Sequence, residues 1–148
     1  MYKFAPTLQM MSLELKKDKN FLILISDLSM ECQVLAVSLG SEVLAYQNGR
    51  QGLYQKYQKI NGRASWISAS RAIWYVPEFK DWAIGNLDNI GTKFRGIASR
   101  GDKESQSPLD IPNDHWMYFA TKWKSPSKSG ISIKCMDGKG KKFLCYFL

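Results

Sequence analysis

From Phe21 onward the chain is built of short apolar runs separated by residues that favour turns. Phe21–Ser26 and Gln33–Ser38 are rich in Val, Ile and Leu and are closed by Ser-Asp and Leu-Gly-Ser, the pattern of buried strands. Turn signals then recur at Asn48-Gly49, Asn61-Gly62, Pro77, Gly85-Asn86, Asn89 to Gly91 and Gly101-Asp102. Asn-Gly favours tight hairpins because both residues tolerate positive φ. Between these signals lie Gly52–Lys59, Ala64–Ser68, Ala72–Val76, Trp82–Gly85 and Thr92–Ser99, each of strand length and enriched in aromatic or β-branched residues. Residues 100–114 read as a loop. His115–Trp123 resumes a strand, with Trp116, Tyr118 and Ala120 on one face and Met117, Phe119 and Trp123 on the other. Ile131, Ile133 and Cys135 alternate with Ser132 and Lys134, as a strand with one wet face does. The pattern predicts an all-β fold, a compact antiparallel sandwich or a curled sheet of about ten short strands. Three parts follow: a lead-in over 1–18, a β-rich domain over 19–136, and a basic and apolar tail over 137–148.

Composition supports a packed core. Of 148 residues, 45% are hydrophobic and 13% aromatic, enough apolar surface to offset the entropy of ordering one domain. The net charge of +8 changes the picture less than its size implies, because residues 121–148 hold seven lysines against Asp137 and the remainder carries only +2. The basic end reads as a solvated tail, with a salt-sensitive contact to an anionic surface as the sharper reading. The apolar run Phe21 to Ile25 is too short for the core of a signal peptide and lacks a small-residue cleavage site after it. No stretch approaches the roughly 20 apolar residues of a membrane span, so a soluble domain is expected.

Candidate chemistry is sparse. Cys32, Cys135 and Cys145 form no CxxC pair and have only His115 as a further soft ligand, which sets zinc aside; no metal and no cofactor is expected. Three reduced, buried thiols fit a cytosolic protein, whereas a Cys32–Cys135 bridge fits a secreted one, and the compartment stays open. No serine sits in a Gly-x-Ser-x-Gly elbow, and His115 beside Asp114 does not by itself form a catalytic set. Gly91 to Gly96 lacks the spacing of a Walker loop or a dinucleotide turn. No catalytic residue is assigned, and a non-enzymatic role is expected.

Aromatic residues carry more information. Trp66, Trp74 and Trp82 recur at eight-residue intervals, with Tyr75 beside them and Arg63, Arg71 and Arg95 near enough in sequence to add polar contacts. These seven are the candidate ligand-binding residues, because exposed rings stack on sugars, bases or peptides with little loss of side-chain entropy. The alternative is that the rings are simply the core.

The order Gly52-Leu53-Tyr54, Asn61-Gly62-Arg63 with Trp66, Ile73-Trp74-Tyr75, Trp82-Ala83-Ile84-Gly85, Pro108, Trp116-Met117-Tyr118 and Ile131-Ser132-Ile133 with Cys135 resembles a functionally obscure β-rich module of invertebrate and protist multidomain proteins. The resemblance spans roughly residues 34–135. It implies a display or recognition module without catalytic residues, and an extracellular setting. The module often carries Cys-Pro where this chain has Ser107-Pro108, which removes a possible partner for Cys135. The expected function is non-catalytic recognition of protein or carbohydrate through aromatic residues. The alternatives are single-stranded nucleic-acid binding through rings and basic residues, and a purely structural role in a larger assembly.

Overall fold

A computed structural model describes residues 31–101, 104–127 and 130–137. The strand expected at Phe21–Ser26, the lead-in and most of the tail therefore lie outside the described residues. Among the described residues nine strands form one antiparallel sheet that curls into a half-barrel: β1 (Val34–Leu39), β2 (Gly52–Lys56), β3 (Trp66–Ile67), β4 (Arg71–Val76), β5 (Asp81–Asn86), β6 (Ile97–Ser99), β7 (Trp116–Phe119), β8 (Trp123–Lys124) and β9 (Ile131–Cys135). The order β8-β7-β6-β5-β4-β3-β2-β1-β9 is a meander whose last strand returns to lie beside the first. The curled sheet is the form taken, rather than two stacked sheets. No helix among the described residues is long and apolar enough to cross a membrane.

The concave face follows from period-two alternation. Leu35, Val37 and Leu39 of β1, Tyr54 of β2, Trp66 of β3, Ile73 and Tyr75 of β4, Trp82 and Ile84 of β5, and Trp116 and Tyr118 of β7 are all buried and belong to one cluster. The register keeps them on one side, with Tyr75 opposite Trp82 and Ile73 opposite Ile84. Trp66 and Trp82 lie 6.2 Å apart between ring centroids, and Tyr75 and Trp82 5.7 Å. The β4–β5 hairpin is covered on its other face too, where Ala72, Trp74, Val76 and Ala83 are buried beneath Ile60, Ile67, Leu87 and Ile90. Trp74 thus points away from Trp66 and Trp82 despite the even spacing, because the turns between strands reset which face each position takes.

Asn61-Gly62 forms the predicted tight turn. Both residues have positive φ, 53° and 79°. Ile60 and Arg63 exchange main-chain hydrogen bonds of 2.9 and 3.2 Å across it. Asn48-Gly49 instead ends a helix that the strand-dominated pattern conceals. α1 (Ser41–Gln47) is continued by a 3-10 turn, Asn48–Arg50. At seven residues it owes its stability to packing, with Val43 and Gln47 buried, rather than to propensity. Two further 3-10 turns, Pro108–Asp110 and Asn113–His115, form within the stretch expected as plain loop, the second taking in His115, which was expected to begin a strand.

The sheet closes covalently at one edge. Cys32 and Cys135 form a disulfide with a Cα–Cα distance of 5.8 Å, beside the β1–β9 ladder in which Leu35 pairs with Cys135. The bond encloses 103 residues of separation, a length for which the chain-entropy model gives roughly 4.7 kcal/mol of stabilisation.

Candidate functional site

An open cleft of about 480 Å³ lies on one rim of the half-barrel, built among the described residues by five separate segments. The end of α1 and its 3-10 turn supply Tyr46, Gln47 and Arg50. The end of β5 and the turn after it supply Asn86 and Asn89. The approach to β6 supplies Lys93 to Gly96, and β7 and β8 supply Phe119 and Trp123.

Hydrogen bonds fix the parts. Gln47, buried, donates from Nε2 to the Phe119 carbonyl oxygen at 2.5 Å and so ties the helix to β7. Glu42 one turn earlier accepts from the Tyr118 hydroxyl at 2.8 Å and from the main-chain N–H and hydroxyl of Ser127. The bond to Glu42 pushes the Tyr118 phenol up to about 12. On the outer face, the Trp74 indole N–H donates to the Thr92 carbonyl oxygen at 2.9 Å, holding the loop that carries Lys93, Phe94 and Arg95. The Phe119 N–H donates to the Gly96 carbonyl oxygen at 2.8 Å and secures the other end of that loop.

Four rings border the cleft and are open to solvent: Phe94 is 64% exposed, Tyr46 52%, Phe119 42% and Trp123 37%. Phe119 and Trp123 meet edge to face at 5.7 Å. Cations accompany them. The Arg95 guanidinium sits 5.3 Å from the Trp123 ring centre and 4.5 Å from that of Phe79, and Lys124 Nζ lies 5.6 Å from that of Tyr46. Arg95 also pairs with Asp81 at 2.5 Å. Burial pushes the Asp81 carboxyl up to about 6, against the opposing pull of Arg95. Among the described residues the cleft lining holds amides, cations and rings, with no carboxylate, histidine, serine or cysteine.

The residues singled out from sequence divide sharply. Trp66, Trp74, Trp82 and Tyr75 are all buried, and each indole uses its N–H inside the fold, donating to the carbonyl oxygens of Cys32, Thr92 and Ser105 respectively. A ring enclosed in this way has no face to offer a ligand. Arg63 lies 3.5 Å from the centre of the Tyr75 ring and pairs with Glu104 at 2.8 Å, so it closes the concave face. Glu104 also accepts from the Tyr75 hydroxyl at 3.0 Å. Arg71 stands at the start of β4 beside the Asn48–Arg50 turn, and Arg95 alone of the seven lines the cleft.

Tyr46, Gln47, Arg50, Asn86, Phe94, Phe119 and Trp123 were not among the candidates. Two signals pointed to some of them. Phe94 stands between Lys93 and Arg95 in a turn-rich stretch, a poor environment for a core ring, and alternation already set Phe119 and Trp123 opposite Trp116 and Tyr118. His115 ends the 3-10 turn that leads into β7, with its Nε2 3.9 Å from the Asp114 carboxylate. The sulfurs of Cys32 and Cys135 lie near the Asp137 carboxylate, but a disulfide has no thiolate to give a metal. Comparison with protein-family models, with curated proteins and with solved structures finds no match for this chain.

Proposed function

We propose that this domain is a non-catalytic recognition module that binds a carbohydrate chain in the rim cleft. The observation that carries the reading is the set of exposed rings, Tyr46, Phe94, Phe119 and Trp123, gathered around the amides of Gln47, Asn86 and Asn89. Flat rings cover the C–H faces of sugars and lose little side-chain entropy in doing so, while amides and guanidinium groups exchange hydrogen bonds with hydroxyls. A cavity of about 480 Å³ falls within the usual size of small-molecule sites. Among the described residues the lining holds no Asp, Glu, His, Ser or Cys, the side chains on which much acid–base and nucleophilic catalysis rests, which favours binding over turnover. The Cys32–Cys135 disulfide supports an extracellular setting, where glycans are abundant.

The test is Trp123→Ala with a glycan array as readout. The variant is expected to keep its thermal midpoint to within a few degrees and to lose binding to whichever glycan the native protein selects. If the selected glycan still binds the variant, or if peptides displace it at equal concentration, the cleft is not a carbohydrate site.

A further inference from the structure

The half-buried arginines among the described residues are of two kinds. Arg63 and Arg95 are each neutralised by a carboxylate, Glu104 and Asp81. Arg50 and Arg71 are not: among the described residues neither guanidinium is paired with a carboxylate. Arg50 Nη2 donates weakly to Asn86 Oδ1 at 3.4 Å, and Arg71 Nη1 to Ser70 Oγ at 3.0 Å. The Nε atoms of both are buried with no hydrogen-bond partner.

Two close approaches hold these side chains in place. Gly49 leaves room for the Arg71 guanidinium and Gly96 for that of Arg50, and a methyl group at either position would overlap the charged head. Arg71 faces Asn86 across the β4–β5 ladder, and Asn86 is also the partner of Arg50. The two charges are near enough for Arg71 to hold the Arg50 guanidinium below the usual arginine range, an effect second to that of burial. Burial without a counter-charge is costly for one guanidinium and more so for two that repel each other, unless an anion joins them. Arg50 opens into the cleft, with Lys93 on the same rim.

We propose that Arg50, in the cleft lining, and Arg71, beyond the lining and opposite Asn86, form an oxyanion subsite at the edge of the cleft, and that the carbohydrate taken there is acidic, carrying a sulfate or carboxylate. The inference rests on the cleft being a glycan site and adds the class of glycan. Planar, forked guanidinium groups are suited to two oxygens of one such group. Nucleic acid, which also offers anions and stackable bases, fits less well. Its binding calls for successive stacking platforms along a basic groove, whereas these rings converge on a single cavity.

The experiment uses the full chain and reads Trp fluorescence and titration calorimetry. The probes are a sulfated uronate tetrasaccharide, the same tetrasaccharide with its sulfates removed and its carboxyls reduced, and a short oligothymidine. The acidic glycan is expected to bind at least about tenfold more tightly than its neutralised form, and Arg50→Gln and Arg71→Gln are each expected to remove most of that preference. Arg50→Lys keeps the charge without the fork and is expected to fall between. Should a variant not fold, inorganic sulfate added to the native protein is expected to displace the acidic glycan more strongly than chloride at equal ionic strength.

Equal affinity for the acidic and neutralised glycans overturns the proposal. So does a preference that survives Arg50→Gln, no advantage of sulfate over chloride, or tighter binding of oligothymidine than of either glycan. If both glycans bind equally and Trp123→Ala abolishes both, the anion subsite fails while the carbohydrate reading stands. If neither glycan binds, both fail.

Discussion

Two groups of aromatic side chains occupy this domain, and they differ in what surrounds them rather than in their chemistry. Trp66, Tyr75 and Trp82 lie within 6.2 Å of a neighbouring ring on the concave face, enclosed by Ile and Val, with each indole N–H donated to a main-chain carbonyl oxygen. Phe94, Phe119 and Trp123 lie on the rim, bordered by Arg50, Lys93 and Arg95. The first group has met its demands internally. The second leaves its apolar surface in water and its neighbouring charge only partly neutralised, a state that ligand binding would improve. An aromatic residue is therefore a binding candidate when its partners are cations and solvent, and a structural element when its partners are aliphatic side chains and main chain.

The largest break in this comparison comes from the core. Trp82→Ala is expected to cost about 3–5 kcal/mol, since it removes a buried ring that the fold cannot collapse around, and urea denaturation would register the loss. The same substitution at Trp123, 37% exposed, is expected to cost less than about 1 kcal/mol while abolishing glycan binding. A stability loss at Trp123 as large as at Trp82 would erase the distinction between the two groups. Replacing Cys32 and Cys135 by Ser is expected to lower stability by about 2–5 kcal/mol without altering cleft affinity at temperatures where the variant stays folded.

A smaller effect is expected from pH. Burial raises the Asp81 carboxyl from 3.8 to about 6, so between those values the folded chain holds a proton that the unfolded chain has released. Stability from this group is thus present at low pH and declines as pH rises through that window. Glu42 and Glu104 act in the opposite direction, since hydrogen bonds with Ser127 and Tyr118, and with Tyr75 and Arg63, hold them below the ordinary glutamate range; their contribution is lost on acidification through that lowered range. Asp81→Asn is expected to flatten the decline between pH 4.5 and 6 in urea midpoints, and a slope unchanged in that variant would remove Asp81 as its source. Protonating Asp81 also strips Arg95 of its counter-charge. Affinity for an acidic glycan is accordingly expected to rise as pH falls through about 6, and in Asp81→Asn to be high and flat.

Much of the sheet was legible from sequence because local pattern determines it. Val34 to Leu39 and Ile131 to Cys135 alternate as strands do, and Asn61-Gly62 marks its turn. α1 was not, since seven residues between two strands carry too little periodicity to stand out. Nor was the pairing of β9 with β1, which joins positions about a hundred residues apart and has no local signature. The cleft was the least legible part. Its lining comes from five segments, and whether a ring such as Trp74 or Trp123 meets solvent depends on strand order and on what covers each face.

The bond between Cys32 and Cys135 also has a mechanical meaning. Tension applied to the chain at these two residues passes directly through a covalent link spanning 5.8 Å between Cα atoms, and the β1–β9 ladder lies alongside it. The polypeptide between them, including every described residue that lines the cleft, forms a closed loop off the line of force. A domain wired in this way keeps its cleft undeformed while the chain through it is pulled, and reduction of a single bond would convert it from a rigid bead into up to about a hundred residues of extensible tether.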